Sequence, residues 1–343
     1  MNTFLRRSHA VEMLFMTLTS ISVVGKCHSA GAIPGVSSDD VWKAWSSRST
    51  EISSVNVSYS LTEVISPQEA PQPLQGNPFE EFTPPNEAEL TKHLTFALSG
   101  NRIALRMRGD AIRQNGELGA RTNTTVFNGK VYKTLVESEL MPLGSFDRRG
   151  RAGDQVTRNY YQNALWLWCN PIQLMEKVVW DIKRMRLNGV PTIIDGVECA
   201  RFSVPRKSPG WLSYVYVDLS AAHLPRRWEV LYKGKLLDKL TIQYQKDPSG
   251  IAYVSQWSSV RYSSAGKLEA MCLAKVEKCE LNKPIDDNVF ELDFPMGTHL
   301  YEELGDSRRY YIQEASGMRE IKETEYGATK DGLAATNTGG RRG

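Results

Sequence analysis

The sequence predicts an α+β fold that is mainly antiparallel β. Apolar residues alternate with polar ones in many segments; Leu240, Ile242 and Tyr244, for example, are separated by Thr241 and Gln243. A period of two indicates a strand with one buried face. Short turn sequences join consecutive segments of this kind, which makes neighbouring strands antiparallel. We count about 11 strands and two or three helices, and a sheet that long must curl, with the helices covering its concave face.

The first 32 residues predict a cleaved secretory signal. Arg6 and Arg7 precede a short apolar run, and small residues at 30–32 offer a cleavage site. The run is too short to span the ~30 Å hydrocarbon layer, so a membrane anchor is disfavoured. We therefore expect a periplasmic or otherwise exported protein that is soluble after cleavage and has no transmembrane segment.

The mature chain is predicted to be one domain over residues 33–321, followed by a disordered tail over 322–343. It begins with a helix whose N-cap is predicted at Ser38, and a strand with alternating Val55, Val57, Tyr59 and Leu61 follows. Residues 66–87 contain six prolines and predict a long loop, with a proline-rich partner motif as the alternative. An arginine-containing segment, 144–158, predicts a second long loop.

Two hairpins and a final strand complete the outline. Asn128-Gly129 predicts a hairpin turn, and a second turn is predicted at residues 99–101. Cys272 and Cys279 are placed in one long strand, about 23 Å apart. Since a disulfide needs Cα atoms within about 7 Å, these two are not expected to pair with each other. The other pairings among Cys169, Cys199, Cys272 and Cys279 stay open.

The strongest candidate for function is the apolar run Leu165–Trp168 in the second helical segment. A helix that is apolar on all sides is buried or plugs something. The run has two interpretations: plain core packing, or a lid over an apolar cavity. As cavity or lid contacts we single out Trp166, Trp168, Met175 and Trp180.

Catalytic and metal-binding motifs are not found in the sequence. Three histidines remain in the mature chain, His93, His223 and His299, and no two have the spacing of metal ligands. His223 is expected in a turn. A formal net charge of +3 without a basic, aromatic-rich stripe argues against nucleic-acid binding. No enzyme activity, cofactor or metal is predicted, and the oligomeric state is left open.

The order of these elements resembles the LolA/LolB-like periplasmic lipoprotein-carrier superfamily. The likeness rests on the exported helix leading into the Val-x-Val-x-Tyr strand, the long meander, and the ending Phe290-x-x-x-Phe294-Pro295-x-Gly297-Thr298. The segment Tyr310–Ile321 looks like an added terminal hairpin. The resemblance implies a half-open β-barrel with an apolar cavity, no enzyme activity, and an acyl chain or lipoprotein as partner.

Three hypotheses follow from the sequence. The first is an exported protein of the cell envelope that carries or senses a lipid acyl chain or a lipoprotein. The second is a structural or protein-interaction module of the envelope with a filled core and no ligand. The third is a hydrolase or other enzyme that uses unrecognised residues, which a cleft holding His223 or His299 beside a carboxylate would support.

Overall fold

The computed structural model describes most of the chain after residue 35. The described residues are 36–66, 87–112, 118–138, 142–148, 163–170, 185–205, 209–220, 222–304 and 307–326. The predicted signal, most of the proline-rich loop, Met175 and Trp180 lie outside these ranges. Among the residues that are described, no helix has the length and apolarity needed to cross a membrane.

Helix α1 (Ser38–Glu51) opens the described part of the chain, as predicted. Its N-cap is Ser37 rather than Ser38. The Ser37 hydroxyl accepts from the Asp40 amide at 3.2 Å, and the Asp40 carboxylate accepts from the Ser37 amide at 3.0 Å. Only a cap at Ser37 places Asp40 three residues later, where both bonds of a capping box form.

The second described helix is α2 (Asn163–Cys169), and a 3-10 turn spans Asp287–Phe290. Seventeen strands are described. In chain order they are β1 (Ser54–Ile65), β2 (Ala88–Ser99), β3 (Arg102–Ile112), β4 (Leu118–Phe127), β5 (Tyr132–Ser138), β6 (Leu143–Asp147), β7 (Arg186–Leu187), β8 (Thr192–Ile194), β9 (Val197–Pro205), β10 (Trp211–Asp218), β11 (Pro225–Tyr232), β12 (Lys235–Lys246), β13 (Ala252–Tyr262), β14 (Leu268–Leu281), β15 (His299–Glu303), β16 (Arg308–Glu314) and β17 (Gly317–Ile321).

These strands form one sheet with β1 in its middle. On one side of β1, strands β2 to β6 pair in chain order, and β15, β16 and β17 continue the sheet. On the other side, β14 to β9 pair in reverse order, and β7 and β8 both pair with β9. The pairing of β6 with β15 is parallel, and the other pairings are antiparallel. The sheet is therefore mainly antiparallel, as predicted.

Two parts of the fold prediction need correction. There are 17 described strands instead of about 11, and the sheet is not closed, so that a half-open barrel is not shown. The additional strands are short. Strand β6 overlaps the segment 144–158 that was predicted as a loop; it pairs with β5 and also with β15, which is remote in sequence. Alternation within a five-residue segment does not reveal such a partner.

A second apolar layer covers part of the sheet on its other face. Phe290 ends the 3-10 turn and Leu292 follows it. Both pack against buried residues of β2 to β5, among them Ala97 and Ala104. The Phe290–Thr298 segment singled out in the sequence therefore closes this outer layer and leads into β15. Beyond β15, the predicted terminal hairpin is confirmed as β16 and β17. Tyr326, in the segment predicted as a disordered tail, is buried against Tyr310.

Candidate ligand-binding interior

The candidate site is the face of β1, β2 and β3 that packs against α2, which we call the inner face. Alternate residues of each strand point to it, and register pairs them across the sheet. Its buried residues are Val55, Val57, Tyr59, Leu61 and Glu63 on β1, Leu90, Lys92, Leu94, Phe96 and Leu98 on β2, and Ile103, Leu105 and Met107 on β3.

Helix α2 packs on this face through its two tryptophans. Residues 164–169 are all buried, and Trp166 and Trp168 have no exposed surface. The Trp166 ring meets the Phe96 ring edge-on at 5.6 Å between centroids. The Trp168 indole N–H donates to the Ala252 carbonyl of β13 at 2.7 Å. The structure thus places Trp166 on the inner face and Trp168 against β13, both fully buried, while Met175 and Trp180 lie outside the described residues.

Two donors in this interior have no hydrogen-bond partner among the described residues. They are the Trp166 indole N–H and the Tyr59 hydroxyl, and both atoms are buried. Burial raises the pKa of Tyr59 well above its ordinary value, so the hydroxyl keeps its proton. A buried polar group without a partner costs about 1–3 kcal/mol, which makes both groups candidates for contact with a ligand.

A buried ion pair interrupts the otherwise apolar inner face. The Lys92 ammonium lies 2.9 Å from the Glu63 carboxylate, and each side chain is 1% exposed. Gly109 of β3 faces Lys92 in register. A Cβ at this glycine would lie 2.6 Å from the Lys92 Cα, so only glycine allows the two strands this approach.

Further polar groups lie beside this pair. Cys272 of β14 is the register partner of Glu63, and Arg121 of β4 is the register partner of Gly109. In the neighbouring row, Asn123 has a buried side-chain oxygen without a hydrogen-bond partner. The inner face is therefore apolar beside α2 and polar around Glu63 and Lys92.

Helix α1 covers a different part of the sheet, at β10 to β12. The Trp45 indole N–H donates to the His223 carbonyl at 2.8 Å. Burial lowers the pKa of the neighbouring Arg48 guanidinium. Asp218 accepts from the Leu224 amide at 3.0 Å and from Arg226 at 3.3 Å. These contacts fix the turn between β10 and β11.

In the described part of the chain, neither candidate histidine forms a hydrogen bond to a carboxylate. His223 lies in the predicted turn with φ +44°, and its Nδ1 is 3.2 Å from the backbone oxygen of Asp218. His299 is buried beside Tyr326, and its Nδ1 has no hydrogen-bond partner. The pairing that the enzyme hypothesis needs is therefore not formed by the described contacts of either residue.

The cysteines and possible metal ligands also bear on the chemistry of the site. Cys169, Cys199, Cys272 and Cys279 are all free thiols, and burial raises the pKa of each to about 12. Cys272 and Cys279 share β14, as predicted. Within the described ranges, no group of three His, Cys, Asp or Glu residues is placed to hold a metal ion.

Sequence reasoning missed Tyr59, Glu63 and Lys92 as site residues. The sequence did contain a signal for the two charges, because each stands at a position of its strand where the alternating pattern calls for an apolar residue. Glu63 continues the series Val57, Tyr59, Leu61, and Lys92 stands two residues before Leu94. A charge in that phase is predicted to be buried and paired.

Comparison with solved structures finds many similar chains, among them two crystal structures, one of which carries the superfamily name predicted from the sequence. A DUF1329 family protein from Desulfovibrio piger has 12% identity and a TM-score of 0.42, with 74% of this chain and 95% of that chain covered. A LolA superfamily protein from Nitrosomonas europaea has 12% identity and a TM-score of 0.38, with 75% and 99% covered. No family model and no curated protein matches.

Proposed function

We propose that this chain is a non-enzymatic, exported protein of the cell envelope that binds an acyl chain of a lipid or lipoprotein on its inner face. In this proposal, α2 is a plug that the acyl chain displaces. The observation that carries it is the buried contact of the Trp166 ring with Phe96 of the inner face, a face whose Tyr59 hydroxyl has no hydrogen-bond partner among the described residues.

The composition of the inner face supports an acyl chain as ligand. Its apolar side chains have no hydrogen-bonding groups, so a hydrocarbon chain can pack against them without leaving a donor or acceptor unpaired. Burial of apolar surface contributes about 25 cal/mol per Å². An acyl chain that replaces the indole rings therefore restores the free energy of apolar burial that is lost when the rings leave. Trp166 and Trp168 are the proposed plug contacts, and Met175 and Trp180 are proposed as further contacts with the ligand.

A second candidate is an envelope interaction module with a filled core and no ligand. The full burial of Trp166 and Trp168 favours it, because the Trp166 ring already packs against Phe96 and neither ring has exposed surface. The two candidates differ in whether α2 leaves the inner face when a lipid is offered.

Native mass spectrometry distinguishes the two. The protein, purified from an exporting host without detergent, is incubated with vesicles of dioleoyl phosphatidylethanolamine. We expect one bound lipid mass that organic solvent removes, and faster uptake by Trp166→Leu, since a smaller side chain weakens the plug. The matched control is Trp211→Leu, because Trp211 contacts Tyr232 in the β10–β11 pair.

A folded protein that stays free of lipid in all three forms would overturn the acyl-chain proposal and support the interaction module. Circular dichroism of each sample verifies folding, so that loss of structure is not mistaken for loss of binding.

A further inference from the structure

We propose that the guanidinium of Arg48, on the buried side of α1, is a binding site for the carboxylate group of a ligand. The inference does not depend on the acyl-chain function, because α1 covers the sheet at β10 to β12 and not the inner face. It gives a role to a buried charge that the proposed function does not use.

Arg48 is buried without a hydrogen-bond partner. The residue is 7% exposed, and its Nε atom is buried and forms no hydrogen bond with the described residues. Among those residues, no carboxylate forms an ion pair with it either. An arginine usually extends its charged end to water or pairs with a carboxylate, and a buried charge with neither is strongly unfavourable. A ligand that supplies the missing acceptors accounts for such a group.

The spacing of residues in α1 turns Arg48 inward. Val41, Trp45 and Arg48 recur at helical spacing and form the buried side of the helix. The Trp45 indole N–H donates to the His223 carbonyl at 2.8 Å, which fixes this side of the helix against the turn between β10 and β11. Arg48 lies about one helical turn further along the same side, so its guanidinium is directed to the sheet.

The acidic groups near Arg48 are engaged elsewhere. The Asp218 carboxylate accepts from Arg226 at 3.3 Å, so a guanidinium already balances its charge. Glu51 is exposed, and its carboxylate accepts from the Ser47 hydroxyl at 2.9 Å. Both carboxylates act on Arg48 through space, without a hydrogen bond to it.

The other titratable neighbours carry no charge that could balance the guanidinium. The Tyr244 hydroxyl of β12 donates to the Pro225 carbonyl at 2.7 Å, and burial raises its pKa. Cys169, at the end of α2, is a buried thiol with a pKa of about 12. Both groups are therefore neutral near pH 7. Within the described part of the chain, Arg48 is left as a single uncompensated positive charge.

One uncompensated guanidinium selects a planar monoanion as ligand. Its N–H donors form a fork that matches the two oxygens of a carboxylate. A single negative charge neutralises the site, whereas a phosphate dianion would bring a second charge that Arg226, already paired with Asp218, does not balance. The exposed fraction of Arg48 leaves an approach from solvent.

Thermal unfolding of the full chain at pH 7 tests the site. The midpoint is measured in rising sodium acetate, with sodium chloride added to hold the ionic strength constant. Sodium dimethyl phosphate is compared as a monoanion of different shape. We expect acetate to raise the wild-type midpoint saturably by at least about 2 °C, because a ligand that binds only the folded state stabilises it. Dimethyl phosphate should raise it less.

Three variants show whether Arg48 is responsible. Arg48→Met removes the charge, keeps a long side chain and should lose the response to acetate. Arg48→Lys keeps the charge without the planar fork and should weaken acetate binding at least about threefold, which keeps the test decisive if the methionine variant does not fold. Arg319→Met is the control: its side chain is 54% exposed, and the variant should respond as the wild type does.

Sodium octanoate distinguishes two sources of the carboxylate. Half-saturation at a lower concentration than acetate, with no response in Arg48→Met, assigns the site to an amphiphile, and equal half-saturation assigns it to a small free carboxylate. Three results would overturn the inference. They are a wild-type midpoint that is the same in acetate and in chloride, an equal acetate response in Arg48→Met, and a larger response to dimethyl phosphate than to acetate.

Discussion

At the scale of single residues, the Lys92–Glu63 pair dominates the electrostatics of the inner face. Both charges are buried, and each stabilises the other where water does not reach. The stability of the protein should therefore fall when one member of the pair is replaced and change little when both are replaced. This asymmetry separates a buried ion pair from an exposed one, which contributes about 0–1 kcal/mol.

We expect Lys92→Met to lower the free energy of unfolding by about 3–5 kcal/mol, because it removes the ammonium that lies 2.9 Å from the buried Glu63 carboxylate. Adding Glu63→Leu should restore most of the loss. Urea denaturation of the two variants and the wild type measures both effects. A double variant as unstable as the single one would show that the pair is not the source of the cost.

His299 makes the stability of the folded protein depend on pH. Burial lowers the pKa of its imidazole, so the folded state keeps the ring neutral at a pH where the unfolded chain binds a proton. The contribution to stability is full above the unfolded pKa of about 6.5 and is lost as the pH falls below it.

We expect His299→Gln to lose less stability than the wild type between pH 7.5 and pH 5.5, measured as the shift of the urea midpoint. His93→Gln is the control, since its side chain is 67% exposed and its loss should leave the wild-type shift in place. An equal shift for His299→Gln and the wild type would contradict the assignment.

At the scale of elements, the close approach of β2 and β3 positions the ion pair. Gly109 faces Lys92, and a methyl group there would lie 2.6 Å from the Lys92 Cα and 3.1 Å from its Cγ. The two strands would have to separate locally to admit it. The hairpin can therefore hold Lys92 against Glu63 only while residue 109 lacks a side chain.

Gly109→Ala should cost about 1–3 kcal/mol, the usual effect of forcing extra volume into a packed site. Gly266→Ala is the comparison: its φ of +84° makes alanine strained, but a Cβ there meets no atom within 4 Å. Hydrogen exchange of the β2 and β3 amides should rise only in Gly109→Ala. Unchanged exchange in these strands would argue against the close approach.

The same scale shows what the sequence could and could not predict. Hairpin turns at Gly100 and Asn128, the burial of α2 and the long strand holding Cys272 and Cys279 depend on local pattern, and they were predictable. Strand β6 pairs with β5 and also with β15, a partner far along the chain that local pattern does not reveal. Glu63 and Lys92 were missed because buried positions were assigned only to apolar residues. Each lies two residues from a buried leucine on its strand, so the alternation places it on the buried face as well.

At the scale of the whole molecule, one sheet connects segments that are distant in sequence. β1 lies between β2 and β14, and β6 is joined to β15 by the parallel pairing. Leu300 of β15 has no exposed surface and packs where Gly144 of β6 leaves room. The last strands therefore complete the same sheet that carries the inner face.

We expect Leu300→Ala to destabilise the protein by about 2–5 kcal/mol and to lower the unfolding midpoint measured by tryptophan fluorescence. All eight tryptophans precede residue 258, so this signal reports strands remote from the substitution. A fluorescence midpoint equal to that of the wild type would show that β15 to β17 unfold separately from the rest of the sheet.

The central claim is that an acyl chain enters the inner face, and photo-crosslinking tests it most directly. A phosphatidylethanolamine with a diazirine near the end of one oleoyl chain is incubated with the protein, irradiated and mapped by peptide mass spectrometry. We predict adducts on inner-face residues such as Leu94 and Phe96 and on α2. Adducts confined to exposed apolar residues such as Ile193 and Met296, which are 65% and 75% exposed, would contradict the claim.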